Sequence, residues 1–249
     1  MSMALPWPEA VDRVVLDEVD STMAEAARRA EDFARPVWIM ARRQTAARGR
    51  RGRAWSNPDG NFSATFLFRP EGPASEAALR SFSMSLALFK ALSGAVSPTR
   101  LALKWPNDVL LNGGKVAGIL LESTGIRDRL DWLAIGVGVN LVQVPPTAVD
   151  AVFAPVSLAS EGGGPMGAEE LLSVLAVNMA AEERRFAAQG FGPIRAEWLQ
   201  HAARLGEVIT ARTARETFTG TFETVDEDGQ LVLRTASGQV SIPAADVYF

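Results

Sequence analysis

Two apolar runs, VLL (109–111) and KVAGILLES (115–123), are separated only by Asn112-Gly113-Gly114. That spacing holds a tight turn and little else, so both runs read as strands broken at the turn. LALKW (101–105) before them and DWLAIGVGVNL (131–141) after them read as further strands, which makes the middle of the chain a sheet. Upstream, Val11–Val19 reads as a strand, and DSTMAEAARRAED (20–32) opens a helix in which Thr22 and Glu25 have capping-box spacing. VWIMARR (37–43) is the next strand. NFSATFLFRP (61–70) partly alternates apolar and polar residues, as a half-buried strand does. Residues 75–96 carry the longest helical pattern. Helices at 168–189 and 192–203 complete an α+β domain.

From Gly206 the character changes. The stretch to Phe249 is rich in β-branched residues, with turn signals at Asp228-Gly229 and Ser237-Gly238, the pattern of a small barrel. The expected division is therefore 1–204 and 205–249, and 249 residues suffice for a main domain with a small companion. No apolar run reaches the roughly 18 residues that span a bilayer. The N-terminus lacks a basic segment followed by an apolar one, so the expected compartment is the cytoplasm.

Absent residue types narrow the chemistry. Without cysteine there is no disulfide, thiolate nucleophile or zinc–sulfur site, and the single histidine, His201, lies on a helical face in EWLQHAARL. Serine–histidine–aspartate hydrolysis and multi-histidine metal catalysis are poor fits. What remains is catalysis by positioning and charge neutralisation.

Residues 42–53 supply the charge. They hold Arg42, Arg43, Arg48, Arg50, Arg51 and Arg53 with no carboxylate, in a chain of net charge −4. Gly49 and Gly52 let the backbone approach an anion closely, and guanidinium groups grip carboxylate or phosphate oxygens in pairs. A nucleic-acid loop is the competing reading, but the chain is acidic and no basic stripe extends the patch. With the aromatic face of Trp55 nearby, a small phosphorylated ligand suits it better. Two of the three lysines, Lys104 and Lys115, fall in LKWPNDVLLNGGKVAGILLES (103–123). Asp108 in this stretch could accept hydrogen bonds or hold Mg²⁺, or simply shape an Asx-type turn. Gly118 marks either a close approach or a bulge. GVGVN (136–140) looks like half a dinucleotide fingerprint, but Pro145-Pro146 cannot open the helix such a motif needs. Asn140 remains a polar group at a strand end.

Together, DSTMAEA, QTAARGRRGRAWSNPDGN, KWPNDVLLNGGKVAGILLES and IGVGVNL, in this order, resemble the biotin protein ligases over essentially the whole chain. The resemblance implies a mixed β-sheet catalytic domain packed with helices, followed by an SH3-like barrel. It implies biotin and ATP as substrates with Mg²⁺, a biotinyl-5′-AMP intermediate, and transfer to a lysine of a biotin carboxyl carrier domain. It further implies that Ser21, Thr22, Gln44 and Gly118 surround the biotin rings, and that Arg48, Gly49 and Arg50 close over carboxylate and phosphate. Lys115 would bridge the reacting oxygens. Arg53, Trp55, Asn107 and Asn140 would serve the nucleotide, Trp55 on the adenine side. Asp108 would serve Mg²⁺ or the acceptor lysine. Partners expected on this basis include neither nucleic acid nor membrane, and dimerisation through a sheet edge is left open.

Three departures from the family pattern stand out. Met23 replaces the usual Asn near biotin, and Ala47 replaces a Gly that would matter if the position needs positive φ. No helix-turn-helix precedes Val11, so the repressor role of some relatives is not expected. Ligation of lipoate or octanoate is the near alternative, although Gln44 and Ser21 favour a polar ring over a plain acyl chain.

The loop 45–57 is expected to order around its ligand. Fixing its backbone costs about 1–2 kcal/mol per residue, and its like charges repel, so a bound anion must drive closure. The first ligand to order it should tighten the second. Calorimetry should find ATP binding more tightly once biotin is present; equal affinity with and without biotin would refute the coupling.

Overall fold

The computed structural model describes residues 6–126, 128–144 and 153–249; Pro145-Pro146, read above as a bar to a dinucleotide-binding helix, lie outside them. Seven strands make the main sheet: β1 (Asp12–Val19), β2 (Val37–Gln44), β3 (Phe62–Phe68), β4 (Leu101–Lys104), β5 (Asp108–Leu111), β6 (Gly114–Ile126) and β7 (Arg129–Val139). Their order is β1-β2-β3-β7-β6-β5-β4. Only β1 and β2 run parallel, joined across α1 (Thr22–Arg28); every other pair is antiparallel. The Asn112-Gly113 turn takes positive φ at both residues (50° and 82°), the twist that a two-residue hairpin needs.

Alternation along the strands sorts side chains onto two faces. On one face Trp38, Met40, Phe62, Phe66, Phe68 and Ile135 pack beneath α2 (Arg80–Leu92), α3 (Ala168–Gln189) and α4 (Phe191–Gln200). On the other, Val37, Ile39, Leu67 and Ala134 meet Met23 and Ala26 of α1. β3 shows how the sequence pattern should be amended. It is buried along its whole length rather than half-buried, because Ser63 and Thr65 face a closed interior instead of solvent. The helix over 75–96 is likewise shorter than its pattern, with α2 starting at Arg80 after a 3₁₀ turn at Ala74–Glu76.

The start of α1 also differs from expectation. Ser21, not Thr22, is the N-cap, its Oγ accepting from Ala24 N at 3.4 Å, so the Thr22–Glu25 capping box does not form. Thr22 is held instead by Gln44, whose Oε1 accepts from the Thr22 amide at 2.8 Å.

The C-terminal strands β8 (Val208–Arg212), β9 (Thr217–Val225), β10 (Leu231–Thr235), β11 (Gly238–Ile242) and β12 (Asp246–Tyr248) form one antiparallel sheet in the order β11-β10-β9-β8-β12. The expected barrel is not closed, since β11 and β12 end the sheet without pairing to each other. Phe222, Leu231 and Val247 nevertheless join the main core, and the Trp105 indole donates to the Gly229 carbonyl at 3.0 Å.

Between α2 and α3, Arg80 lies over the Phe186 ring and 3.7 Å from Glu183. Burial pushes the Glu183 carboxyl up to about 7 from an ordinary 4.5, against the pull of Arg80. A carboxyl with a raised folded-state value binds its proton longer when folded. This contribution to stability is full below about 4.5 and is lost as pH rises to about 7. Glu183→Gln should therefore stabilise the protein at pH 8 by about 1–3 kcal/mol and by less at pH 5, because Arg80 keeps Glu76 at 3.2 Å. Urea unfolding at the two pH values checks this; an equal or opposite change would refute it.

Candidate active site

The α1 face of the sheet is hollow where its strands carry no bulk. A cavity of about 500 Å³ opens there, between α1, β3, β5–β7, the arginine loop and β12. Gly118 of β6 sits opposite Gly138 of β7, and Gly136 lies two residues along on the same face. A Cβ at Gly138 would fall 2.6 Å from the Trp55 indole, and one at Gly136 2.9 Å from Met23 Cε. Gly118 is thus a close approach: the bulge in that hairpin lies between Val109 and Leu110, and a Cβ on Gly118 would meet Lys115 Nζ and Trp55 at 3.3 Å. Met23 is buried, filling space where an amide would stand.

One end of the cavity is a row of hydroxyls and an amide. Thr65 Oγ1 donates to Thr22 Oγ1 at 2.9 Å, and Thr22 Oγ1 donates to Gln44 Oε1 at 3.2 Å. Ser63 Oγ, also on the wall, is buried without a hydrogen-bond partner. Among the described residues nothing else claims this hydroxyl, which leaves it able to donate to or accept from a ligand.

The other end is cationic. The loop after β2 closes on itself through a bridge between Arg48 and Ala54 and a bond from Gly49 N to Arg53 O (2.7 Å). Positive φ falls at Arg51 (57°) and Gly52 (72°) and not at Ala47, so replacing Gly at 47 carries no conformational cost. Ion pairs separate the six arginines. Arg42 meets Asp17 and Glu169, Arg43 meets Glu18, and Arg48 meets Glu122; Arg51 and Arg53 both reach Asp246 of β12, at 2.6 and 3.0 Å. Among the described residues Arg50 alone of the six has no such carboxylate, its Nη1 donating to Asn107 Oδ1 at 3.3 Å. Burial pushes the Arg50 guanidinium below its ordinary value, with the carboxylates of Asp246 and Asp108 opposing.

Lys115 Nζ stands 2.6 Å from Asp108 Oδ1, and Lys104 Nζ 3.4 Å from Asp108 Oδ2. Burial opposes ionisation of Asp108, yet Lys115 and Lys104 outweigh it and hold the carboxyl below its usual range. A carboxylate already shared by two ammonium groups is a poor ligand for a divalent cation. Among the described residues no group of three acidic, histidine or cysteine side chains stands together to help it. Asp108 does not fit the expected role as Mg²⁺ ligand.

Of the residues singled out in the sequence, Ser21, Thr22, Met23, Gln44, Arg48, Gly49, Arg50, Arg53, Trp55, Asn107, Asp108, Lys115 and Gly118 all line this cavity. Asn140 does not. It is buried behind the wall, and its amide donates to the Val156 carbonyl at 3.0 Å. Trp55 lies against Gly118 and Gly138, with Lys115 5.6 Å from its ring. Ser63, Thr65, Lys104, Phe153 and Asp246 line the cavity without having been singled out for it. Ser63 and Thr65 were visible only as the polar half of an alternating strand. Asp246 and Phe153 carried no local signal. His201 stacks on Phe89 at 4.1 Å and takes no part in the wall.

Solved structures that match this architecture include biotin protein ligases. One from Aquifex aeolicus, in complex with biotin and ATP, matches with a TM-score of 0.81 over 95% of this chain and 98% of that one, at 24% identity. One from Leishmania major, in complex with biotinyl-5-AMP, matches with a TM-score of 0.67 over 94% and 99%, at 22% identity. At those identities the likeness defines the fold. The sequence goes further: residues 15–140 match the biotin/lipoate A/B protein ligase family, residues 205–249 match the biotin protein ligase C terminal domain, and the chain belongs to that ligase family. It is 49% identical over 238 residues to a biotin--[acetyl-CoA-carboxylase] ligase of Paracoccus denitrificans, covering 94% of this chain and 99% of that one. It is also 30% identical to the bifunctional ligase/repressor BirA of Bacillus subtilis, covering 84% of this chain and 65% of that protein.

The Asp246 contacts tether the loop to the C-terminal sheet. In Asp246→Ala, trypsin should cut after Arg51 and Arg53 several-fold faster than in the parent, because local opening exposes both bonds. Mass spectrometry of early fragments reads this, and unchanged cutting rates would rule out the tether.

Proposed function

We propose that the protein ligates biotin to a specific lysine of a biotin carboxyl carrier domain, in two steps through biotinyl-5′-AMP. The observation that carries this reading is that Arg50, without an ion-pair carboxylate among the described residues, and Lys115 line one pocket together with hydroxyls and glycines. The 49% identity to the Paracoccus ligase over 94% of this chain supports the same substrates and acceptor.

The pocket accounts for recognition. A cyclic urea offers two N–H donors and one carbonyl acceptor, and Ser63 Oγ, Thr22 Oγ1 and Gln44 Oε1 stand where such a ring would be read. The bare strands at Gly136 and Gly138 admit a flat bicycle, and Met23 and Trp55 cover it. Octanoate has nothing to give Ser63 Oγ, and leaving that buried hydroxyl unpaired counts against it. The arginine stretch is equally unsuited to a polymer, because five of its six guanidiniums are paired within the protein.

In the first step a biotin carboxylate oxygen attacks the α-phosphorus of ATP, the bond to the bridging oxygen breaks, and pyrophosphate leaves. Two like unit charges about 4 Å apart repel by roughly 4 kcal/mol at an effective dielectric near 20. Arg50 and Lys115 offset that repulsion and stabilise the charge that spreads over the phosphate oxygens. Arg48, Gly49 and Arg53 close the loop over the adenylate, Arg53 after leaving Asp246. Asn107 holds Arg50 in place, and the base has aromatic faces at Trp55 and Phe153. Mg²⁺, if it enters, comes on the triphosphate and not on Asp108. In the second step the amine nitrogen of the acceptor lysine attacks the acyl carbon and AMP departs. The entering amine's proton leaves to solvent; Asp108, already shared by Lys115 and Lys104, assists the acceptor lysine only by fixing the Lys115 ammonium in the site. The compartment proposed is the cytoplasm.

ATP–pyrophosphate exchange should depend on biotin and not proceed with lipoate or octanoate. Lys115→Ala should lower it by about 10²–10³-fold while the protein stays folded, the cost of removing one donor from the developing charge. Exchange that ignores biotin, or is untouched in Lys115→Ala, would sink the proposal. Arg50→Gly should release the adenylate faster and label lysines less selectively.

A further inference from the structure

Lys104 is the charged residue of the cavity that the two steps leave unused. It stands directly opposite Asp108 in the β4–β5 pairing, and Asp108 in turn stands opposite Gly118 of β6. Its side chain is only 6% exposed. The Phe153 ring covers it, with a centroid 4.8 Å from Nζ. Among the described residues its only carboxylate neighbour within 4 Å is Asp108. Burying an ammonium group this deeply is unfavourable unless the charge has work to do.

The three charges form a row, with a carboxylate between two ammonium groups and a net charge of +1. Take Lys104 away, and Asp108 and Lys115 become a neutral pair in contact at 2.6 Å. Lys115 could then reach an incoming anion only by leaving a buried carboxylate uncompensated, which is strongly unfavourable. With Lys104 in place, Asp108 keeps a partner whichever way the Lys115 ammonium swings. We infer that Lys104 is a positioning residue for adenylation, acting as the standing counterion of Asp108 that releases Lys115 to the reacting oxygens. This inference rests on the biotin-adenylating reading of the site.

The test is a double-mutant cycle in ATP–pyrophosphate exchange, a readout that omits the acceptor lysine. Wild-type protein with no biotin-dependent exchange would dispose of the underlying reading; wild-type exchange fixes that reading and leaves Lys104 as the question. Lys104→Met should then lower the exchange kcat by about tenfold or more with Asp108 present, moving KM less, and by under about threefold in an Asp108→Asn background. Equal losses in both backgrounds would mean that Lys104 meets the substrate directly, and no loss in either would make it dispensable; each overturns the inference. Should Lys104→Met unfold at the assay temperature, Lys104→Arg keeps the cation and should retain exchange within about threefold; a tenfold loss in that variant also overturns it.

Discussion

The pocket depends on one property of the central strands: period-two alternation that makes one face bulky and the other bare. Phe62, Phe66, Ile135 and Val139 point to the helices. Ser63, Thr65, Gly136 and Gly138, one residue out of phase with them, point the other way. Because the period is two, a slip of one residue would fill the pocket with phenylalanine from β3, or with isoleucine and valine from β7, and empty the core. The pairing of β7 with β3 on one side and β6 on the other fixes that register along its length. Core and cavity are therefore two results of one pattern.

Charge placement follows the same economy. The arginine stretch 42–53 is less positive than its composition suggests, since carboxylates from β1, β6, β12 and α3 take up five of its six guanidiniums. Exposed pairs of this kind contribute little to stability, about 0–1 kcal/mol each. Their effect here is to aim the field. What is left facing the cavity is Arg50 together with the Lys104–Asp108–Lys115 row, a concentration of charge suited to two small anions.

Much of this was legible in the sequence, and the exceptions have physical causes. Turn chemistry at Asn112-Gly113 and strong apolar runs locate β5 and β6, because local geometry decides them. The loop and lysine motifs locate the cationic end because their residues lie close together in the chain. Ser63 and Thr65 escaped because an alternating strand looks the same whether its polar face meets water or a cavity. Asp246 escaped because it is brought to Arg51 by tertiary packing across 195 residues of chain. Asn140 was given to the nucleotide by the family resemblance alone, yet it does not line the cavity, and its Nδ2 donates to the Val156 carbonyl. Asp108 reads as a metal ligand in the sequence because the sequence does not reveal that two lysines share this carboxylate. The barrel expected after Gly206 required β11 and β12 to meet, and strand propensities do not specify closure.

The glycine pair on β7 bears on how such a pocket could change. Its base is polypeptide backbone, with no side chain to trim, so substitution there can only add atoms and crowd Met23 or Trp55. Room for a different acid over these strands must come from above, through the two residues that overlie them. The charges at the far end can meanwhile stay as they are, which leaves the shape of the pocket and its charge open to separate evolutionary adjustment.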